Sequence, residues 1–213
     1  MPVQEHHLTV PRTARYHTLG DAANAHAIWI VLHGYGQLAR YFMWKFEGLE
    51  DGLLIAAPEG LSRFYTDEAH TRVGATWMTR EDREHEIRDQ STYLDALVAE
   101  LLKHTGSVPV HVLGFSQGVP TACRWSLNGH TTIQRLVLWA GGLPPEPDPQ
   151  QLHAAWAKLD LHLVLGTQDQ YAGDKELQQQ VARLRMANVP HQVHRFQGGH
   201  ELEQVLLTRL LRS

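Results

Sequence analysis

The sequence predicts a three-layer α/β fold, with a mostly parallel central sheet and helices on both faces. Three observations predict it. Short apolar runs recur along the 213 residues, amphipathic segments of helix length separate them, and several of the runs are apolar at consecutive positions. Strands of that last kind are buried on both faces, as in a parallel sheet covered by helices. The runs are Ala27–Leu32, Gly52–Ala57, Val110–Phe115, Ile133–Ala140 and Leu161–Gly166, with a further strand expected over His191–Phe196. Segment Glu86–His104 places Ile87, Tyr93 or Leu94, Leu97 and Leu101 at helical spacing, and Gly106 follows as a stop. Asp174–Asn188 opens on a good N-cap residue and carries Leu177, Val181 and Leu184 on one face, and Glu201–Leu211 repeats the pattern. Residues up to Gly20 alternate weakly and are expected to give one or two antiparallel edge strands. Pro144–Gln150 reads as a rigid surface excursion.

Length and composition bound the function. The chain fits one domain, expected over residues 1–213, and can bury roughly 70% of its unfolded surface without a disulfide or metal staple. Twenty-three acidic against 19 basic residues exclude a strongly basic nucleic-acid binder. A single cysteine, Cys123, excludes a disulfide scaffold and a Cys-rich zinc module. No apolar window reaches the ~18 residues of a membrane span, and the N-terminal stretch lacks the apolar centre of a signal peptide. A cytoplasmic location is therefore expected.

The chemistry concentrates at Val110–Gly118, VHVLGFSQG, where an apolar strand runs into Gly114-Phe115-Ser116-Gln117-Gly118 and a helix is expected over Val119–Leu127. A serine on a tight strand-to-helix turn sits in a strained backbone conformation, and side chains two residues to either side would collide, so both are glycine. The helix start beneath it offers free N–H groups where an oxyanion would develop. Pro120 sits awkwardly if Ser116 caps that helix, because it then falls one place past the positions with a free N–H. The helix is expected to start later or to bend.

A serine nucleophile needs a base, and the base needs an orienting acid. Among the downstream aspartates, Asp148 lies in the Pro-rich excursion, Asp160 precedes a strand, and Asp174 reads as a helix cap. Asp169 directly follows LHLVLG, at the strand's carboxyl end. The candidate bases are His191, His194 and His200. The first two fall inside the expected strand, whereas His200 follows two glycines in a loop. His33-Gly34, after the strand AIWIVL, turns the chain sharply and aims the Tyr35 amide at the serine, to pair with the amide of Gln117 as oxyanion donors. His33 itself reads as a structural brace.

The set LHGYG, GFSQG, GTQDQ and GGH resembles the α/β-hydrolase superfamily, and within it the small phospholipase/carboxylesterase family that includes acyl-protein thioesterases. The spacings, 53 residues from Ser116 to Asp169 and 31 from Asp169 to His200, and the lack of a large lid insertion fit that family, roughly over residues 15 to 213. The resemblance implies an α/β-hydrolase fold without a large lid domain, Ser116 as nucleophile, Asp169 as acid, His200 as base and the Tyr35 and Gln117 amides as oxyanion hole. It also implies hydrolysis of carboxylic esters or thioesters with no cofactor. The chain departs from the family pattern at Tyr35-Gly36-Gln37 and at Trp77-Met78-Thr79, which border the acyl site, so chain-length preference stays open.

The expected activity is thus that of a carboxylesterase-type serine hydrolase, with an acyl thioesterase or lysophospholipase using the same residues as one alternative. A hydrolase-like protein that holds a small ligand without turnover is the other. The partner expected is a small-molecule ester or thioester, with no nucleic acid and no membrane span, and pairing into a homodimer is left open. Trp77, Met78, Leu143 and Tyr171 sit in loops after strand ends and are expected to line the substrate pocket. No metal is expected, since His6–His7 and His85, set among Glu81, Glu84 and Glu86, show no ligand spacing. Thr79–Asp89 reads as a solvated loop and helix face, and Cys123 as a buried small hydrophobe.

Overall fold

The computed structural model describes residues 2–212. Its elements run β1 (Tyr16–Leu19), β2 (Ala27–Leu32), α1 (Ala39–Met43), β3 (Leu53–Pro58), β4 (Ser62–Tyr65), β5 (Val73–Thr76) and α2 (Arg83–Thr105). They continue with β6 (Val110–Phe115), α3 (Gly118–Asn128), β7 (Arg135–Trp139), α4 (Pro149–Trp156), β8 (Asp160–Gly166), α5 (Asp174–Met186), β9 (Gln192–Phe196) and α6 (Gln204–Arg212). Seven strands form one sheet in the order β1-β3-β2-β6-β7-β8-β9. Only β1 is antiparallel to its neighbour, with Tyr16 opposite Pro58. This is the predicted α/β-hydrolase architecture, and no large lid domain interrupts it among the described residues.

The consecutive apolar residues are divided between two cores by the period-two alternation of strands. Ile28, Ile30 and Leu32 of β2 face one core with Val112, Leu136, Leu138, Leu163 and Leu165, and α2 covers it with Leu94, Leu97, Val98 and Leu101. Trp29 and Val31 face the other, with Ile55, Leu113, Val137, Trp139 and Val164, under Phe42 and Met43 of α1 and Leu206, Leu207 and Leu210 of α6. A sheet sandwiched this way has its functional edge at the carboxyl ends of the strands, where the chain leaves for the next helix.

The N-terminal stretch gives one of the expected antiparallel edge strands, Tyr16–Leu19, which pairs with β3. Two expectations are corrected, and one element is new. A separate hairpin, β4–β5, was not expected. The Pro-rich excursion ends in a helix, because Asp148 caps α4 by accepting the Gln150 and Gln151 amides and Pro149 sits at its first position, where it sacrifices no bond. The last helix starts at Gln204 rather than Glu201. Cys123 is fully buried, as expected, and burial pushes its thiol above the ordinary range.

A carboxylate node ties the N-terminal segment to this frame. Glu59, just past β3, is buried and takes Arg15 at 2.7 Å and Arg63 at 2.6 Å, while also accepting the Ala39 amide at 3.2 Å. Burial alone would raise its pKa, but the bonds from Arg63 and Arg15 outweigh that and hold it below the usual carboxylate value.

Candidate active site

Ser116 lies between β6 and α3 with φ of +54°. A left-handed conformation at a residue with a side chain costs on the order of 1–3 kcal/mol and persists only where the surroundings enforce it. They do so here. The Ser116 amide donates to the Trp139 carbonyl at 2.9 Å, and the Ser116 carbonyl accepts from the Val119 amide at 3.0 Å. A Cβ on Gly114 would lie 2.5 Å from the Gly118 carbonyl oxygen, and one on Gly118 only 2.2 Å from the Leu32 carbonyl oxygen. One on Gly141, which carries no sequence signal, would lie 2.4 Å from the carbonyl oxygen of Ser116. Backbone crowding from three strands therefore holds the turn. Gln117 is the N-cap of α3, so Pro120 falls third in the helix, where no N–H is missed.

The carboxyl ends of β8 and β9 are joined in the same way. A Cβ on Gly166 would lie 2.4 and 2.5 Å from the carbonyl oxygens of Gly198 and Gly199, and the Gln168 amide donates to Gly198 at 2.9 Å. This closeness brings Asp169 to His200. The Asp169 side chain is fully buried. Its Oδ1 accepts the Tyr171 and Ala172 amides at 2.9 and 3.1 Å, and its Oδ2 lies 2.8 Å from His200 Nδ1. A carboxylate can only accept, so Nδ1 carries the proton and Nε2 keeps its lone pair. The imidazole packs on Phe115, with centroids 5.0 Å apart, and edge-on to Tyr171 at 4.8 Å. It thus lies against the residue preceding Ser116. Among the described residues, no hydrogen bond joins Ser116 Oγ to His200. Such contacts are often loose in the absence of substrate.

The other candidates go elsewhere. His191 Nδ1 meets the Val189 carbonyl at 2.8 Å, and His194 meets His162 at 2.9 Å. Asp148 caps α4, Asp160 pairs with Arg135 at 2.6 Å, and Asp174 pairs with Arg195.

The loop after β2 lies against the serine turn: a Cβ on Gly34 would stand 3.3 Å from Ser116 Cβ. Here the Gly34 amide donates to Gln37 Oε1 at 2.8 Å and the Gly36 amide to the Ala75 carbonyl at 2.9 Å. The amides of Tyr35 and Gln117 donate to no group among the described residues and stay available to a ligand. His33 is fully buried and acts as the brace. Its Nε2 accepts the Gly60 amide at 3.0 Å while Nδ1 meets the Gly34 carbonyl at 2.8 Å. Burial lowers its basicity, against the pull of that carbonyl and of Glu59.

The Gln117 side chain has a role that its place in the motif does not disclose. Its Nε2 donates to Thr76 Oγ1 at 2.8 Å and to the Met78 carbonyl at 3.1 Å, and its Oε1 accepts the Trp77 amide at 3.2 Å. One amide side chain therefore fastens the segment after β5 to the serine turn.

The expected pocket residues separate into two kinds. Trp77 and Leu143 lie in the hydrophobic core; the Trp77 indole donates to the His33 carbonyl at 2.8 Å, and the Leu143 amide donates to Gln180 Oε1 at 3.2 Å. Loop position suggests a pocket wall for Trp77, whereas its 1% exposure makes it a brace of the loop after β2. Met78 is half-buried, its sulfur 3.3 Å from Arg124. Tyr171 is 74% exposed beside His200, and Tyr35 is 62% exposed, its ring tilted against Phe64 with centroids 5.1 Å apart.

A family model described as phospholipase/carboxylesterase matches residues 18–213. Among solved structures, esterase PE8 superposes with a TM-score of 0.70 at 22% identity, covering 94% of this chain and 99% of that one. Acyl-protein thioesterase 2 from Zea mays gives 0.69 at 18% identity, covering 94% and 97%. The carboxylesterase from Bacillus cereus gives 0.68 at 14% identity, covering 93% and 92%. At these identities the superpositions establish a shared fold. No curated protein sequence matches the chain.

Proposed function

The chain belongs to the phospholipase/carboxylesterase family of hydrolases, and on that premise we propose that it is a serine hydrolase cleaving carboxylic esters of small to medium acyl or aryl groups through an acyl-enzyme on Ser116. The observation that carries this reading is the Asp169–His200 pair, with Nε2 unengaged, packed on Phe115 beside a serine in an enforced left-handed turn.

In this reading Ser116 Oγ attacks the acyl carbon as His200 Nε2 takes its proton. Asp169 keeps the imidazole in the right tautomer and offsets the charge of its cation. The oxyanion is met by the Tyr35 and Gln117 amides, each worth about 3 kcal/mol in related chemistry. His200 returns the proton to the departing alcohol, and a water deprotonated by His200 releases the acid and restores the serine. Residues 1–213 act as one domain, and no cofactor takes part. Exposed Tyr35 and Tyr171 offer apolar surface to an acyl or aryl group. Among the described residues no helix is long and apolar enough to cross a membrane.

Labelling by a fluorophosphonate probe tests the assignment. Wild type is expected to be labelled and Ser116→Ala not; equal ester hydrolysis by the two proteins would reject it. Acyl thioesters and lysophospholipids are the alternative substrates for the same residues, supported by the likeness to the maize thioesterase. Turnover of short aryl esters against long acyl thioesters separates these substrates.

A further inference from the structure

No metal-ligand spacing is visible in the sequence, yet the fold gathers a ligand set. His7 belongs to the N-terminal segment before β1, while Asp82 and His85 stand at the start of α2. His7 Nε2 is 3.3 Å from Asp82 Oδ1, and His85 Nδ1 is 2.5 Å from the same oxygen. Ligand atoms of the three residues all lie within 4.8 Å of one another. Glu5 Oε1 lies 3.4 Å from His7 Nε2 but outside this group.

The backbone at Asp82 turns its carboxylate toward the same cluster. An aspartate at a helix N-cap ordinarily accepts a hydrogen bond from the first turn. Asp82 makes no such bond, although it is the N-cap of α2, and it is held in a left-handed conformation with φ of +47°. Its carboxylate is turned toward the two imidazoles instead. The hydrogen bond to His85 Nδ1 takes the place of the cap bond.

We propose that His7, Asp82 and His85 form a binding site for a divalent transition-metal ion, Zn2+ being the best fit, with water in the fourth position, which fastens the N-terminal segment to the start of α2. Two imidazoles and a carboxylate suit zinc rather than the all-oxygen shells of calcium or magnesium. The Asp82 carboxylate offsets part of the ion's charge. Bonds of about 2.0–2.1 Å in a tetrahedral shell put neighbouring ligand atoms about 3.3–3.4 Å apart. The His7–Asp82 separation already has that value, and the 2.5 Å His85–Asp82 hydrogen bond has to open when the ion enters. The two imidazoles are stacked, with centroids 4.0 Å apart and an interplanar angle of 18°. Their lone pairs then run side by side, so binding turns one ring out of the stack. Side-chain exposures of 44% for His7 and 38% for His85 leave room for that rotation.

The test is calorimetric titration of the tag-free chain with zinc chloride, alongside Co2+ titration followed by visible absorption. One tight site is expected in wild type, with the absorption of four-coordinate cobalt. His7→Ala, His85→Ala and Asp82→Asn should each weaken zinc binding by about tenfold or more, while His6→Ala, one residue away, leaves it unchanged. Zinc should also slow proteolysis of residues 2–12 in wild type but not in His85→Ala. Zinc affinity equal in wild type, His7→Ala and His85→Ala would overturn the proposal, and so would a loss in His6→Ala as large as theirs. Melting curves without metal check that the variants fold, and fluorophosphonate labelling, expected to be unchanged in all of them, keeps the result separate from the Ser116 assignment.

Discussion

Two histidine–carboxylate groups occupy the same pair of strands, β8 and β9, in opposite settings. Past the carboxyl ends, Asp169 holds His200 by Nδ1 alone and leaves Nε2 unengaged beside the serine turn. Toward the amino end of β8, His162 is 4% exposed, with Nδ1 2.9 Å from His194 Nε2 and Nε2 3.0 Å from Asp160 Oδ1, off the line of a good hydrogen bond. His194 in turn reaches Arg209 at 3.5 Å, and burial, then His162, then Arg209 hold its basicity below the ordinary histidine value. The residue types are the same and the chemistry is not. An imidazole serves as a base only when one nitrogen is committed and the other faces open space, and the strand-end loops, not the composition, provide that.

The comparison breaks first at the serine turn. Ser116→Ala and His200→Ala are each expected to lower ester kcat by about 10⁴-fold or more, and Asp169→Asn by about 10³–10⁴-fold, with unchanged melting temperatures. A His200→Ala enzyme as active as wild type would remove the distinction between the two histidine groups. Next in size is Gly118→Ala, whose Cβ would meet the Leu32 carbonyl oxygen at 2.2 Å. A loss of about 2–4 kcal/mol in denaturant unfolding is expected, because backbone cannot move aside as a side chain can.

A third test uses His111 in β6, whose ring lies 5.0 Å from Trp29 and whose Nδ1 has no partner. Burial first, then the Arg135 charge, lowers its pKa from 6.5 to about 4. The unfolded chain therefore takes up this proton before the folded one does. The stability concerned is fully present above pH 6.5 and is lost as pH falls toward 4. The shift corresponds to about 3 kcal/mol at 1.36 kcal/mol per unit, reduced to about 1–2 by the group's partial exposure to solvent. His111→Gln should flatten the unfolding free energy over that window. The smallest effect is expected for His194→Gln, which should leave ester kcat/KM within about twofold of wild type; a loss near that of His200→Ala would show that the amino-end pair also serves turnover.

Much of this was legible in the sequence, for physical reasons. Two-sided burial makes strands apolar at consecutive positions, so β2, β3, β6, β7 and β8 were visible as runs. The serine turn was visible because its crowding demands glycine at positions 114 and 118. Asp169 and His200 were distinguished by lying just past strand ends, and the structure places them 2.8 Å apart. Other features leave no local mark. SRFY and VGAT are too short and mixed to announce the β4–β5 hairpin. The prolines around Asp148 masked a helix start, although Asp-Pro is itself a start signal. Gly141 and Gly166 matter only because distant carbonyls press on them, and the Gln117 side chain only because β5 passes within its reach. His7, Asp82 and His85 are 78 residues apart at the extremes, and only folding of the tail along α2 makes them neighbours.

The three glycines packed around residue 116 have an evolutionary consequence. Because main-chain atoms alone impose that bend, the side chain displayed on it is a separable choice, and the scaffold should accept a thiol or a plain methyl there without refolding. Change in such a lineage is then free to act on the displayed group and the surrounding loops, while substitutions at the flanking glycines are purged before any new chemistry is sampled.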